Sequence, residues 1–124
     1  MNFLRKVLIL ACLFCVPAQA QQVEIGHGLL CDNAGEVSRF LAVVNGDTAA
    51  AIEQVNTEVK NPTACVLIGV AFIRGDPAGE AIHNAEGAWK VTAILVVAVH
   101  TPRGWQQIAP HVYFTALKVD EKAA

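Results

Sequence analysis

The sequence predicts an α+β fold in which an N-terminal helical hairpin is followed by an antiparallel sheet of four or five strands. Two amphipathic segments with helical spacing come first, and several segments rich in β-branched residues follow them. After Arg74 the apolar pattern changes to the two-residue period of strands. Because helices and strands are segregated along the chain, we expect helices packed against one sheet.

The first twenty residues have the layout of a secretory signal peptide. A short basic start is followed by the apolar run 7–16 and by Ala18-Gln19-Ala20, which has the A-x-A pattern of a cleavage site. The apolar run is too short to span a bilayer, which takes ~20 residues. We predict cleavage after Ala20, export to the periplasm or the medium, and a single domain over 21–124. An uncleaved anchor is the alternative.

Loss of that segment would leave an acidic protein. Arg5 and Lys6 leave with it, so seven basic residues face eleven acidic ones, a net charge of about −4. An acidic chain without a Lys/Arg cluster argues against nucleic acid and anionic lipid as partners. No later apolar run is long enough to cross a membrane, so we expect no membrane contact after cleavage.

Four cysteines occur, and Cys12 and Cys15 belong to the predicted signal peptide. The remaining two, Cys31 and Cys65, can pair in only one way, and an exported protein meets an oxidising compartment. We predict a structural disulfide that closes a loop of roughly 35 residues and stabilises the fold by ~4 kcal/mol. A free or metal-bound pair is the alternative.

The segment between these two cysteines predicts two helices. Asn33 and Glu36 have the spacing of a capping box, and apolar residues recur at positions i, i+3, i+4 and i+7 of 34–44. Asn45-Gly46 is a typical helix end. A second, alanine-rich helix is predicted over 48–59.

The rest of the chain predicts strands. Residues 65–74 are apolar almost throughout, which predicts a strand buried on both faces. Further strands are predicted over 80–83, 89–100, 105–108 and 112–119. Along 89–100 we expect strict alternation, with Val91 and Val99 on one face. The lead-in 21–30 contains Gly26-His27-Gly28 and is predicted as an extended connection. A small SH3-like barrel and an open sheet both fit this order.

Residue types that carry hydrolytic or redox chemistry are scarce. Ser38 is the only serine and lies inside the first predicted helix, without a surrounding Gly-x-Ser-x-Gly motif. The two remaining cysteines are assigned to the disulfide, so no thiolate is available. Glu53 and Glu58 do not share a helix face, which makes a carboxylate enzyme the weakest hypothesis. The sequence therefore disfavours an enzyme and predicts no cofactor.

The segment after the longest predicted strand is the candidate interaction surface. It contains Arg103, Trp105 and Gln106, with Tyr113 nearby in sequence. Trp, Tyr and Arg commonly anchor interfaces, and loops on rigid sheets commonly bind partners. We expect a non-enzymatic protein that binds a protein, a peptide or an envelope component. The alternative is that Trp105 belongs to the core.

Histidines provide the second functional hypothesis, a periplasmic metal-binding protein. His100 and His111 flank the same loop and could share a metal if their strands bring them together. Zinc and copper sites usually take three or four protein ligands, and no His-x-His spacing is present. A third ligand would have to come from elsewhere in the fold.

Four short stretches carry a resemblance, namely Leu30-Cys31-Asp32, Thr63-Ala64-Cys65, the apolar run 94–97 and the segment 104–113. In these stretches the chain resembles a family of small, uncharacterised exported proteins of alphaproteobacteria. The resemblance implies a periplasmic location and a shared disulfide. It implies no catalytic activity.

Overall fold

The computed structural model describes residues 22–119, which form five strands and two helices. In chain order these are β1 (Val23–Cys31), α1 (Ala34–Val43), α2 (Thr48–Glu58), β2 (Cys65–Pro77), β3 (Ile82–Asn84), β4 (Gly87–Thr101) and β5 (Gly104–Lys118). All strand pairs are antiparallel. The predicted α+β class is confirmed. The predicted signal peptide lies outside the described residues.

One strand precedes the helices, so the predicted order of a helical hairpin followed by the whole sheet is wrong. β1 pairs with β2 over its full length, from Val23 opposite Ile73 to Cys31 opposite Cys65. Gly26-His27-Gly28, expected as a connection, lies in the middle of this strand. Pairing with a partner strand outweighs the low strand propensity of glycine here.

The strand order is β2-β1-β5-β4-β3, with an additional pairing between β2 and β4. β1 therefore has β2 on one edge, and on the other edge it meets β5 where Cys31 lies opposite Phe114. β4 and β5 form a long hairpin. Its turn needs glycine, because Gly104 has a φ of +105°.

The two helices begin at the predicted residues. The Asn33 side chain accepts a hydrogen bond from the Glu36 N–H, and the Glu36 carboxylate accepts one from the Asn33 N–H, which completes the predicted capping box. The Asp47 side chain caps α2. Arg39 of α1 donates two hydrogen bonds to Glu58 of α2, so an ion pair joins the hairpin.

Two apolar clusters lie on opposite faces of the sheet. The helix-covered cluster packs both helices on the outer face, and its most deeply buried members are Cys31, Val37, Leu41, Val55, Cys65 and Val91. The inner cluster contains strand residues alone, namely Leu30, Val70, Phe72, Ile94 and Val96 as its buried members. Successive strand residues point to opposite faces, which is why Leu29 and Leu30 belong to different clusters.

A β-bulge interrupts the alternation of β4. β2 advances by one residue from Ala71 to Phe72 while their partners on β4 advance from Ala98 to Val96. Val97 is therefore the extra residue. Val99 packs against the inner cluster whereas Val91 belongs to the helix-covered one, so the prediction that they share a face is wrong.

The predicted disulfide between Cys31 and Cys65 is confirmed. The two residues face each other across the β1–β2 ladder with their Cα atoms 4.1 Å apart. The bond joins the end of β1, where the chain enters α1, to the start of β2. Within β2 only Cys65 and the run from Gly69 to Phe72 are buried, so the predicted burial of the whole strand on both faces is not observed.

Within residues 22–119, no helix has both the length and the apolar character needed to cross a membrane.

Candidate functional site

The helices cover only one end of the outer face of the sheet. Beyond them, directly paired residues cross the strands in rows, and paired residues share a face. The rows are His27-Gly69-His100-Trp105, Ile25-Ala71-Ala98-Gln107 and Val23-Ile73-Leu95-Val112. Leu67 lies on the same face, two residues before Gly69. We call this set of residues the open outer surface.

Exposed apolar side chains concentrate on the open outer surface. Of six exposed large apolar residues in the described chain, it carries five, which are Val23, Ile25, Leu67, Trp105 and Val112, each 45–73 % exposed. The sixth, Val59, follows α2. Single exposed apolar residues are ordinary, whereas several on one surface mark an interaction site.

Small residues occupy the centre of the open outer surface. Gly69 and Ala71 are buried between larger neighbours on both sides. A Cβ atom at position 69 would lie 3.0 Å from the His100 Cβ, so glycine leaves room for that side chain. The open outer surface therefore has a shallow depression at its centre, with Ile25 on one side and Trp105 on the other.

Trp105 stands at the tip of the β4–β5 hairpin with 49 % of its surface exposed. Its ring meets the His100 ring edge-on, with centroids 5.1 Å apart. The Thr101 hydroxyl accepts a hydrogen bond from the Arg103 N–H and donates one to the Gly104 carbonyl, which fixes the turn. Arg103 is exposed beside Trp105 in sequence, so the tip offers an aromatic ring and a cation.

The other two predicted surface residues lie on the inner side of the sheet. Gln106 pairs with Val99, which packs against the inner cluster. Tyr113 is partly buried against the same cluster, and its ring is 4.6 Å from that of His111. The structure therefore brings Arg103 and Trp105 together but separates Tyr113 from them.

His100 and His111 do not meet. His100 pairs with Trp105 on the outer face, and His111 pairs with Val96 of the inner cluster. His100 and Val96 are four residues apart on β4, which is roughly 13 Å at the usual rise per residue. Within residues 22–119, no group of three or more His, Cys, Asp or Glu side chains is placed to hold a metal ion.

A shallow groove of about 600 Å³ lies along α2 and the turn that follows it, and none of its lining residues belongs to the open outer surface. Asn56 lines it, but its side chain is fully used. Its amide donates to the carbonyls of Pro62 and Cys65 and accepts from the Cys65 N–H. These bonds hold the end of α2 to the start of β2, so Asn56 has a structural role.

Two ion pairs account for the displaced carboxylate pKa values. Hydrogen bonds from Arg39, and then from Gln54, lower the pKa of Glu58 to about 2. A hydrogen bond from Arg74 lowers the pKa of Glu24. Glu24 and Arg74 join β1 to β2, so the one carboxylate of β1 is already neutralised by a partner.

Sequence reasoning missed most of the open outer surface, although one signal was present. Val23, Ile25 and Leu67 were not singled out as candidate site residues. The order Val-Glu-Ile in 23–25 alternates apolar and polar residues, as a strand with one exposed face does. Which face is left open depends on where the helices pack, and that is decided by tertiary contacts.

Comparison of the chain with protein-family models, with curated proteins and with solved structures finds no match in any of the three. The site is therefore interpreted from its own geometry.

Proposed function

We propose that this protein is an exported, non-enzymatic binding module that holds a protein, a peptide or an envelope component on the open outer surface. The observation that carries the proposal is the concentration of five of six exposed large apolar side chains on that surface. Trp105 is its anchor, because a half-exposed tryptophan can bury much more area on binding. Arg103 adds a cation at the rim.

We also propose that the sheet closes into a small SH3-like barrel. The inner cluster has no helical member, so the strands must cover it by curling over it. The pairings β1–β2, β2–β4, β4–β5 and β5–β1 form a cycle, as closure requires, and within residues 22–119 the β5–β1 pairing closes it only at Cys31 and Phe114. A closed frame of this kind would hold the hairpin tip in a fixed position.

Export is part of the proposal. The first twenty residues have the charge, length and cleavage pattern of a signal peptide. The Cys31–Cys65 disulfide is compatible with an oxidising compartment such as the periplasm. The expected partners are therefore molecules of the cell envelope or the medium.

Metal binding through His100 and His111 has less support, because the two rings are engaged with different aromatic partners. Titration with zinc and copper separates the two hypotheses. Stoichiometric binding that disappears in His100→Ala would favour the metal hypothesis over a pure interaction role.

Site-specific photo-crosslinking tests the proposal. A photoreactive phenylalanine derivative at position 105 is activated in cells, and the same residue at Glu86 is the control. Glu86 is exposed in the turn before β4, far along the hairpin from Trp105. We expect discrete adducts at position 105 and none at position 86.

A second substitution, on a different strand, tests whether the crosslinked adducts form on the open outer surface. Leu67→Ser changes the open outer surface without touching β5, so it should weaken the adducts at position 105 while leaving the unfolding midpoint nearly unchanged. Equal adducts at positions 86 and 105, or adducts insensitive to Leu67→Ser, would contradict the proposal.

A further inference from the structure

The edge of β1 that faces away from β2 carries peptide groups that no described strand uses. The Thr115 hydroxyl of β5 donates a hydrogen bond to the Leu29 carbonyl, so Leu29 directs its peptide groups toward that edge. The 4.1 Å Cα separation of Cys31 and Cys65 is the short spacing of a non-hydrogen-bonded pair. The N–H and C=O groups of Cys31 therefore also point away from β2.

Alternation extends this assignment along the strand. The β1–β2 register has no bulge, so His27, Ile25 and Val23 direct their N–H and C=O groups the same way as Leu29. The only pairing of β1 with β5 among the described residues is at Cys31. The backbone N–H and C=O groups of Val23, Ile25 and His27 are therefore not paired with any described strand.

Nothing in the sequence of this edge discourages pairing. Edge strands are usually protected by lysine, proline, bulges or covering elements. Val23, Ile25 and His27 are all exposed, and Ile25 is 73 % exposed, the most of any large apolar residue in the described chain. The single charge of β1, Glu24, points to the opposite face and is held by Arg74.

We propose that two copies of this chain associate through their β1 edges, antiparallel and centred on Ile25. In this register Ile25 lies opposite Ile25 of the second copy, and Val23 lies opposite its His27. All three outward-directed residues then form hydrogen-bonded pairs. The inference does not depend on the proposed function, because it rests on the backbone edge of β1. Of the five exposed apolar residues of the open outer surface, it involves Val23 and Ile25 but not Leu67, Trp105 or Val112.

A second copy fits this edge because the edge is complementary to itself. A two-fold axis through Ile25 places no charged residue opposite a like charge, since Glu24 falls opposite Gly26 of the second copy. The most exposed aliphatic side chain is covered by its own equivalent. The two sheets would join into one continuous sheet.

The test combines sedimentation velocity with amide hydrogen exchange, each from micromolar to millimolar protein. We expect a concentration-dependent dimer. The amides of Val23, Ile25 and His27 should gain protection as the dimer forms. The amides of Glu24, Gly26 and Gly28, which face β2, should be protected at every concentration.

Two variants locate the interface. Ile25→Pro removes an N–H that points away from β2 and that no strand within residues 22–119 pairs with, so it should weaken dimerisation more than about tenfold while the monomer stays folded. Ile25→Lys should act in the same way, which guards against misfolding of the proline variant. Val112→Lys is the matched control, since it places the same charge on the same surface but on β5, outside the proposed interface.

A monomer at every concentration would overturn the inference, as would a dimer that Val112→Lys disrupts as strongly as Ile25→Lys does. If the outward-directed amides of β1 were protected at all concentrations, as those facing β2 are, the inference would also be contradicted. The edge would then be covered within one chain. Loss of the crosslinks at position 105 would leave it unaffected.

Discussion

The outer face of the sheet has a covered end and an open end, and both are built from the same strands. At the covered end, Cys31, Cys65 and Val91 meet the helices and are at most 2 % exposed. At the open end, Leu67 of β2 and Trp105 of β5 remain nearly half exposed, and both strands also reach the covered end. The difference lies in what packs above the strands, since both ends are apolar.

The covered end and the open end therefore differ in how much they contribute to stability. Two helices of 10 and 11 residues are too short to cover strands of 13 to 15 residues that twist away from them. On the outer face, the covered end therefore supplies more stabilising burial than the open end. We expect that the fold does not need the exposed apolar side chains of the open end.

The largest expected effect concerns the disulfide at the covered end. Replacing Cys31 and Cys65 together with alanine should lower the free energy of unfolding by ~4 kcal/mol, because the unfolded chain regains the freedom of a 34-residue separation. Urea denaturation of the oxidised protein and the variant measures this. A loss below about 1 kcal/mol would mean that packing alone holds the covered end.

The same substitution at both ends gives the sharpest contrast. Leu41→Ala removes a side chain that is 2 % exposed and should cost ~3 kcal/mol, whereas Leu67→Ala, at 45 % exposure, should cost less than about 1 kcal/mol. Denaturant midpoints with unchanged m-values provide the comparison. Equal losses in the free energy of unfolding would show that the two ends contribute equally to stability.

A polar contact at the covered end should have an intermediate effect. Asn56→Ala leaves the buried Cys65 N–H without its partner and should cost ~2 kcal/mol. Glu53→Ala, on the exposed side of the same helix, is the control and should change little. Thermal unfolding of both variants distinguishes a structural Asn56 from a merely surface one.

The smallest effect is a pH dependence. The pKa of Glu58 is lowered from 4.5 to about 2 by its pairing with Arg39. Its contribution is therefore fully present above the unfolded value and is lost as the pH falls through the interval from 4.5 to about 2. The pair is exposed, so the contribution is small.

Glu58→Gln should flatten that part of the stability curve. Unfolding midpoints of wild type and variant between pH 6 and 2 should converge as the acid is titrated. Parallel curves over the whole range would show that the pair contributes nothing measurable.

Local signals in the sequence predicted the local parts of the fold. The Asn33–Glu36 capping box and the apolar spacing of 34–44 act within a few residues, so α1 was placed to within one residue at its end. The disulfide followed from counting the cysteines that remain after the predicted signal peptide. β1 was missed because its glycines have a low strand propensity. The strand forms by pairing with β2, which begins 42 residues after the start of β1.

Non-local contacts decided the rest. The bulge at Val97 lies where β4 pairs with both β2 and β5, and no local pattern indicates it. Trp105 was predicted as a surface residue, whereas Tyr113 was grouped with it only by closeness in sequence. Leu67 joins Trp105 through register across three strands, which a linear sequence does not display.

One measurement tests the central claim most directly, namely that the open outer surface is not needed for folding. It is the free energy of unfolding of the triple variant Leu67→Thr, Trp105→Thr and Val112→Thr, which keeps β-branched residues in the strands. We predict a loss of no more than about 2 kcal/mol and an intact fold. A loss approaching that of three core truncations, on the order of 6 kcal/mol or more, would show that this surface stabilises the protein and would contradict its role as a docking site.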